Sequence, residues 1–204
     1  MHYKFIDIGT CNFGTSIEEH FTPGDKGILV EPIKKYLDAL PNYEGLVKVN
    51  CAISDYTGKG EMHATVTAIK EPKYIPQEWY QIKDRTLSSQ TGKGGCNSLN
   101  KPHGWATKAN YETEKIECAV ITFHDLCNTH NITSADFIKI DTEGHDIIIL
   151  KQIVERISKG QLSLDKKLVY EKNETPEELL NFFKTEGFNM SLKGENIHLV
   201  KNKS

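Results

Sequence analysis

Four side chains able to move a proton or hold a cation fall within six residues: Asp141, Glu143, His145 and Asp146, with Gly144 among them. Imidazole has the ordinary pKa nearest neutrality, so His145 is the candidate acceptor for the proton of a weakly acidic hydroxyl. The spacing places His145 in the first turn of a helix, whose positive end disfavours imidazolium and keeps the ring able to accept. Glu143 and Asp141 are candidates to orient the group that reacts. His103, in Lys101-Pro102-His103-Gly104-Trp105, is a second candidate base. A different chemistry is also open, because Asp141, Glu171 and Asn173 offer hard oxygen ligands suited to Mg2+ or Mn2+.

A second constellation lies near the start of the chain. An apolar run leads directly into Asp7-Ile8-Gly9-Thr10-Cys11-Asn12-Phe13-Gly14-Thr15-Ser16. Glycine in such a turn lets backbone approach a ligand, and the next helix offers free N–H groups. Asp7, Gly9, Thr10, Cys11, Asn12, Gly14 and Ser16 are therefore candidate cofactor contacts. Glu31, followed by Pro32, ends the second apolar run about 20 residues on, where a carboxylate accepts from both hydroxyls of a ribose. Enzymes of NAD and of S-adenosylmethionine (SAM) share that carboxylate. The dinucleotide fingerprint needs glycine at position 11, where Cys11 stands. The looser turn favours SAM, and Asp7 suits a ligand carrying an amino group and a sulfonium. The alternatives are an NAD-dependent sugar epimerase or dehydrogenase and a non-catalytic nucleotide-binding module. The first would want a Tyr-x-x-x-Lys pair, but Tyr170 is followed at that spacing by Glu174 and Tyr36 by Leu40.

The elements that must position these residues alternate between strand and helix. Lys4–Ile8, Gly27–Val30, Leu46–Ile53, Lys115–Val120, Asp136–Ile140 and Lys167–Tyr170 read as strands, and Met62, Ala64 and Val66 alternate with polar residues. Thr15–Phe21 is a short helical candidate. Pro32 reads as a first helical position, with Ile33, Tyr36, Leu37 and Leu40 on one face. Thr122 with Asp125, and Thr175-Pro176-Glu177-Glu178, are helix starts of the capping-box kind. Ile147, Leu150, Val154 and Ile157 follow at helical spacing. Phe188–Leu192 and Asn196–Val200 read as a terminal antiparallel hairpin. Such alternation implies a mainly parallel sheet with its ligand at the carboxyl ends of the strands. From about Lys70 to Glu114 the pattern dissolves into a segment carrying Trp79, Tyr80, Trp105 and Tyr111, the signature of a functional insertion.

Composition narrows the classes. The 204 residues suit one domain, and a formal net charge of -3 argues against a nucleic-acid partner. No apolar run reaches the roughly 20 residues of a membrane span, and no signal peptide is readable. Five cysteines without C-x-x-C spacing argue for a reducing, cytoplasmic setting.

Asp-Ile-Gly-Thr at 7–10, Val30-Glu31-Pro32, Asn50-Cys51-Ala52-Ile53-Ser54-Asp55 with Gly58, and the stretch Asp136 to Asp146 together resemble the FkbM-type methyltransferases. The resemblance runs from Phe5 to Lys172, the insertion excepted. It implies a class I, Rossmann-like α/β fold and SAM-dependent O-methylation, commonly of sugars. By that resemblance Asp7, Gly9 and Gly14 line the methionine moiety, Glu31 holds the ribose, Ala52 and Ile53 lie beside adenine, Ser98-Leu99 matches a recurring Ser-Leu pair, and Ser98 and Asp141 count among the cofactor contacts. Cys11-Asn12-Phe13 departs from the commoner small-residue loop. Asp55 reads first as turn chemistry. The expectation is a single domain, 1–204, that methylates a sugar hydroxyl of a glycan or glycoconjugate under a lid formed by 70–114. The first strand begins close to Met1, which suggests a domain within a longer polypeptide that also carries glycosyltransferase domains. The oligomeric state is left open by the sequence.

Overall fold

The computed structural model describes residues 1–13, 15–65, 97–99, 112–172 and 174–202. Its larger sheet has seven strands in the order β3-β2-β1-β7-β8-β10-β9. These are β1 (His2–Ile8), β2 (Gly27–Val30), β3 (Leu46–Val49), β7 (Ser134–Ile140), β8 (Ser163–Glu171), β9 (Phe188–Lys193) and β10 (Asn196–Lys201). The first five pair in parallel, while β10 runs antiparallel to both β8 and β9. The chain winds outward from β1 to β3 and then crosses back to β7, so the order reverses between β1 and β7. That reversal is the point at which open α/β sheets leave a ligand crevice.

The central strands are apolar on both faces because helices cover both. Phe5, Ile6 and Ile8 of β1, all four residues of β2, and Ile138 and Ile140 of β7 are buried. The helices are α1 (Thr15–His20), α2 (Lys34–Ala39), α3 (Phe123–Thr129), α4 (Asp146–Ser158) and α5 (Glu177–Thr185). In α4, Ile149, Leu150 and Ile153 face the core while Lys151 and Glu155 face solvent, the pattern of a helix lying on a sheet.

A second sheet of three strands, β4-β6-β5, comprises β4 (Ala52–Ser54), β5 (Gly58–Thr65) and β6 (Thr113–Thr122). It packs through Ala52, Met62, Ala64, Cys118 and Val120 against Cys11, Ile33 and Tyr36. Gln152 of α4 ties it in place, donating to the Ser54 carbonyl at 2.8 Å and accepting from the Phe123 N–H at 2.8 Å.

Four sequence expectations are corrected here. The strand expected over Leu46–Ile53 is two strands in two sheets. After the Glu31 N–H donates to the Val49 carbonyl, Asn50 Nδ2 takes the Glu31 and Pro32 carbonyls, each at 2.9 Å. The acceptors that would extend the ladder are thereby used, and the chain turns away into β4. Pro32 does not open a helix. Ile33 after it is extended, at φ -87 and ψ 101, and is the N-cap of α2, which begins at Lys34. The expected insertion is also shorter at its end, since Thr113 and Glu114 already belong to β6 and pair with Thr65 and Ala64. At α5 the cap is Pro176 rather than Thr175. Thr122 does cap α3, accepting from the Asp125 N–H at 3.0 Å.

Candidate functional site

The carboxyl ends of β1, β2 and β7 meet the small sheet around a cleft of about 490 Å3, its open mouth included. Ile8, Gly9 and Cys11 form one wall, with Val30, Glu31 and Pro32 beside them. Cys51, Ala52, Ile53, Met62 and Leu99 give an apolar side; Asn97, Asp141, Thr142 and His145 close the other end.

Glu31 stands at one end, only 4% exposed. Its Oε2 accepts from the Cys11 N–H at 2.7 Å and its Oε1 from the Ile33 N–H at 2.8 Å. Each carboxylate oxygen has a second lone pair, so both can accept again from a ligand. Burial pushes the carboxyl up to about 7, against the opposite pull of the two N–H donors. Cys11 itself is in the left-handed region at φ 50, a conformation that a thiol-bearing residue holds only when its surroundings fix it. The Cys11 N–H to Glu31 is one such tether.

Gly9 has φ +82, and a Cβ there would stand 1.8 Å from the Asp141 carbonyl oxygen. The close approach that demands glycine is therefore to β7's end, where the Asp141 N–H donates to the Ile8 carbonyl at 2.9 Å. Glycine here brings the two halves of the site together.

Asp7 is buried beneath this wall and does not line the cleft. Strand register sets it opposite Lys139, whose Nζ lies 3.7 Å from Asp7 and 3.1 Å from Asp141. Burial raises the Asp7 pKa, with Lys139 and Ser16 pulling it back. Burial alone would lower Lys139, but Asp7 and Asp141 together hold it above the ordinary lysine range. Thr10 and Asn12 are also buried in the turn, where Thr10 Oγ1 donates to the Cys11 carbonyl and Asn12 Oδ1 accepts from the Cys11 thiol. Gly14 lies outside the described residues, as do His103, Asn173 and the four aromatics of the insertion.

At the other end, His145 is the N-cap residue of α4 and makes no side-chain cap bond. It is 6% exposed and lines the cleft, and its Nδ1 is enclosed without a hydrogen-bond partner among the described residues. Burial lowers its pKa, with Asp55 and Asp146 opposing, so the ring is neutral at physiological pH. Glu143 sits behind it at φ 51 and does not line the cleft. Burial, then Asp141, Glu171, Asp146 and Glu195, push its carboxyl up to about 8. Asp146 is structural: it accepts from the Thr142 N–H at 2.9 Å and the Glu171 N–H at 3.0 Å, joining two strand ends.

Among the described residues, the group close enough to share a cation is His2, Asp136 and Asp165, at the opposite end of the strands. Among the described residues Asp141 and Glu171 belong to no such group of three, and Asn173, the third ligand expected, lies outside them. Asp136 already has Lys4 at 3.0 Å and Lys166 at 2.8 Å.

The Methyltransferase FkbM domain matches residues 7–190. The chain belongs to the FkbM methyltransferase family. That membership sets aside the dehydrogenase alternative and implies SAM as the usual cofactor. Comparison with curated proteins and with solved structures returned no match. Sequence reasoning missed Lys139, Cys51, Met62 and Thr142 as parts of the site. Only Met62 carried a readable signal, its alternation with polar neighbours; the others depend on strand register and on how the two sheets meet.

Proposed function

We propose that this FkbM methyltransferase transfers a methyl group from SAM to a sugar hydroxyl of a glycan or glycoconjugate. One observation supports this most: a buried carboxylate with spare lone pairs, Glu31, and a buried neutral imidazole, His145, face the same cleft. The residues fit the cofactor. Glu31 would hold the ribose hydroxyls, Ala52, Ile53, Met62 and Leu99 the adenine, and Gly9 and Cys11 the chain toward the sulfur. When bound, SAM supplies a methyl on a sulfonium that departs as a neutral thioether. His145 Nε2 accepts the proton of the sugar hydroxyl as its oxygen takes the methyl. Asp141, exposed at the cleft beside Lys139, orients the acceptor, and Asp7 with Lys139 fixes the floor beneath it. The insertion around Trp79, Tyr80, Trp105 and Tyr111 would stack on sugar faces. Buried free thiols at Cys11, Cys51, Cys118 and Cys127 are compatible with a reducing compartment.

The test is mass spectrometry of saccharides incubated with SAM, reading a methyl-sized gain that base treatment does not remove, as expected of an ether. His145→Ala should lower turnover by about 10²–10⁴ with SAM affinity nearly unchanged. An unaltered rate removes His145 as the base, and methyl found on nitrogen or sulfur overturns the O-transfer reading.

A further inference from the structure

Between β5 and β6 the chain is described at 97–99, where it touches both the small sheet and the turn that carries His145. The His63 N–H donates to the Ser98 carbonyl at 2.8 Å, and the Ser98 N–H donates back to the His63 carbonyl at 3.1 Å. Asn97 and Leu99 line the cleft. Ser98, between them, faces away from it, is 2% exposed, and donates through Oγ to the Glu143 carbonyl at 2.8 Å. That carbonyl belongs to a residue in the left-handed region, and Gly144 follows at φ 114. Two successive positive φ values aim His145 back at the cleft. A left-handed glutamate persists only where its surroundings over-determine it. Asp146 holds the near side of the turn through Thr142, and Ser98 holds the middle.

We propose that Ser98 is a positioning residue for methyl transfer: its hydroxyl locks the left-handed turn at Glu143 and so sets where the His145 ring stands. The inference rests on His145 as the base, and it assigns Ser98 to the turn rather than to the cofactor, since the residue does not line the cleft and its hydroxyl donates to the Glu143 carbonyl. It also ties the base to β5, because Ser98 is fixed there by two backbone bonds. The hydroxyl proton of Ser98 stays on Ser98 throughout; no bond to it forms or breaks.

The experiment is a histidine-ring NMR titration of the full chain, with His145 assigned by loss of its signal in His145→Asn. In Ser98→Ala the turn loosens, the ring gains solvent, and its pKa should rise toward the ordinary value of about 6.5. Ser98→Thr keeps the hydroxyl and should titrate as wild type. Ser98→Cys is close in size but a weak donor, so it repeats the Ala result with packing kept should Ser98→Ala fail to fold. With a methylated saccharide in hand, Ser98→Ala should lower kcat by about 10- to 100-fold with KM for SAM unchanged. Unmoved titration in both Ser98→Ala and Ser98→Cys overturns the proposal. So does an equal shift in Ser98→Thr, which would mean packing rather than the hydroxyl. Full turnover in His145→Ala beside a shifted titration would remove the base and leave the Ser98 contact standing.

Discussion

Glu31 gives the most direct reading of the cofactor end. In the free protein burial pushes its carboxyl up to about 7, although two backbone N–H groups already donate to it. Ribose hydroxyls are further donors and favour the ionised form. Binding must therefore expel a proton whenever the free protein holds one. With a pKa near 7, the carboxyl is about nine-tenths ionised at about pH 8 and about one-tenth at about pH 6, so affinity should fall about tenfold across that span. Adenosine is the suitable probe, because it carries the ribose and adenine but not the amino group of SAM, which titrates nearby. Calorimetry at several pH values, in buffers of different ionisation enthalpy, reads both the slope and the released proton. Glu31→Gln should flatten the slope and cost about 1.5–3 kcal/mol of binding at the upper pH, the worth of hydrogen bonds to a charged group. Its amide can accept from only one of the Cys11 and Ile33 N–H groups, so a thermal melt must accompany it. Adenosine binding that is independent of pH, or an unchanged slope in Glu31→Gln, would refute the assignment.

Two further outcomes follow from the packing. Gly9→Ala sets a Cβ 1.8 Å from a backbone oxygen and forces a positive φ on alanine, so it should cost more than about 3 kcal/mol in urea unfolding; a loss under about 1 kcal/mol would show that β7's end moves aside freely. Glu31 and Glu143, pushed up to about 7 and about 8, keep protons in the folded chain that the unfolded chain has already lost. Folded stability should therefore fall as pH rises, and between about pH 7, above the ordinary histidine value, and about pH 8 the drop should be about 1 kcal/mol. Unfolding free energies that stay level or rise across that window would contradict it.

Much of the fold was legible because it rests on local patterns. The apolar runs at Lys4–Ile8, Gly27–Val30 and Asp136–Ile140 are buried on both faces, and such runs declare parallel strands whatever their neighbours. Glu31 and His145 were legible as residue types following strand ends. What the sequence concealed includes a case where a side chain replaces a backbone partner. Asn50 reads as one more strand residue, yet its amide takes the two carbonyls that would have carried β3 onward. Pro32 reads as a helix start, yet Ile33 after it is extended and α2 begins only at Lys34. Gly9 reads as a ligand-facing glycine, yet the nearest atom in its way belongs to Asp141. The first and last of these depend on a residue distant in sequence, which periodicity does not record.

Two of the three left-handed non-glycine positions among the described residues lie by the cleft, and the third, Asn131, lies between α3 and β7. Cys11 and Glu143 hold left-handed backbone at the two ends of the cleft; Asp7 and His145 bury polar atoms without hydrogen-bond partners among the described residues. Elsewhere α4 is amphipathic and β2 wholly apolar, as their sequences lead one to expect. A fold under selection for stability alone would relax such sites, since each costs about 1–3 kcal/mol. Their restraints come from opposite sides, Glu31 holding the Cys11 N–H and Ser98 the Glu143 carbonyl. In the proposed reading, the strain at Cys11 aims a backbone turn at the cofactor, and the strain at Glu143 aims an imidazole at the acceptor. Methyl transfer needs three atoms in line, and two independently clamped turns facing one another across Gly9 and Asp141 are how this chain can fix both ends of that line before either ligand arrives.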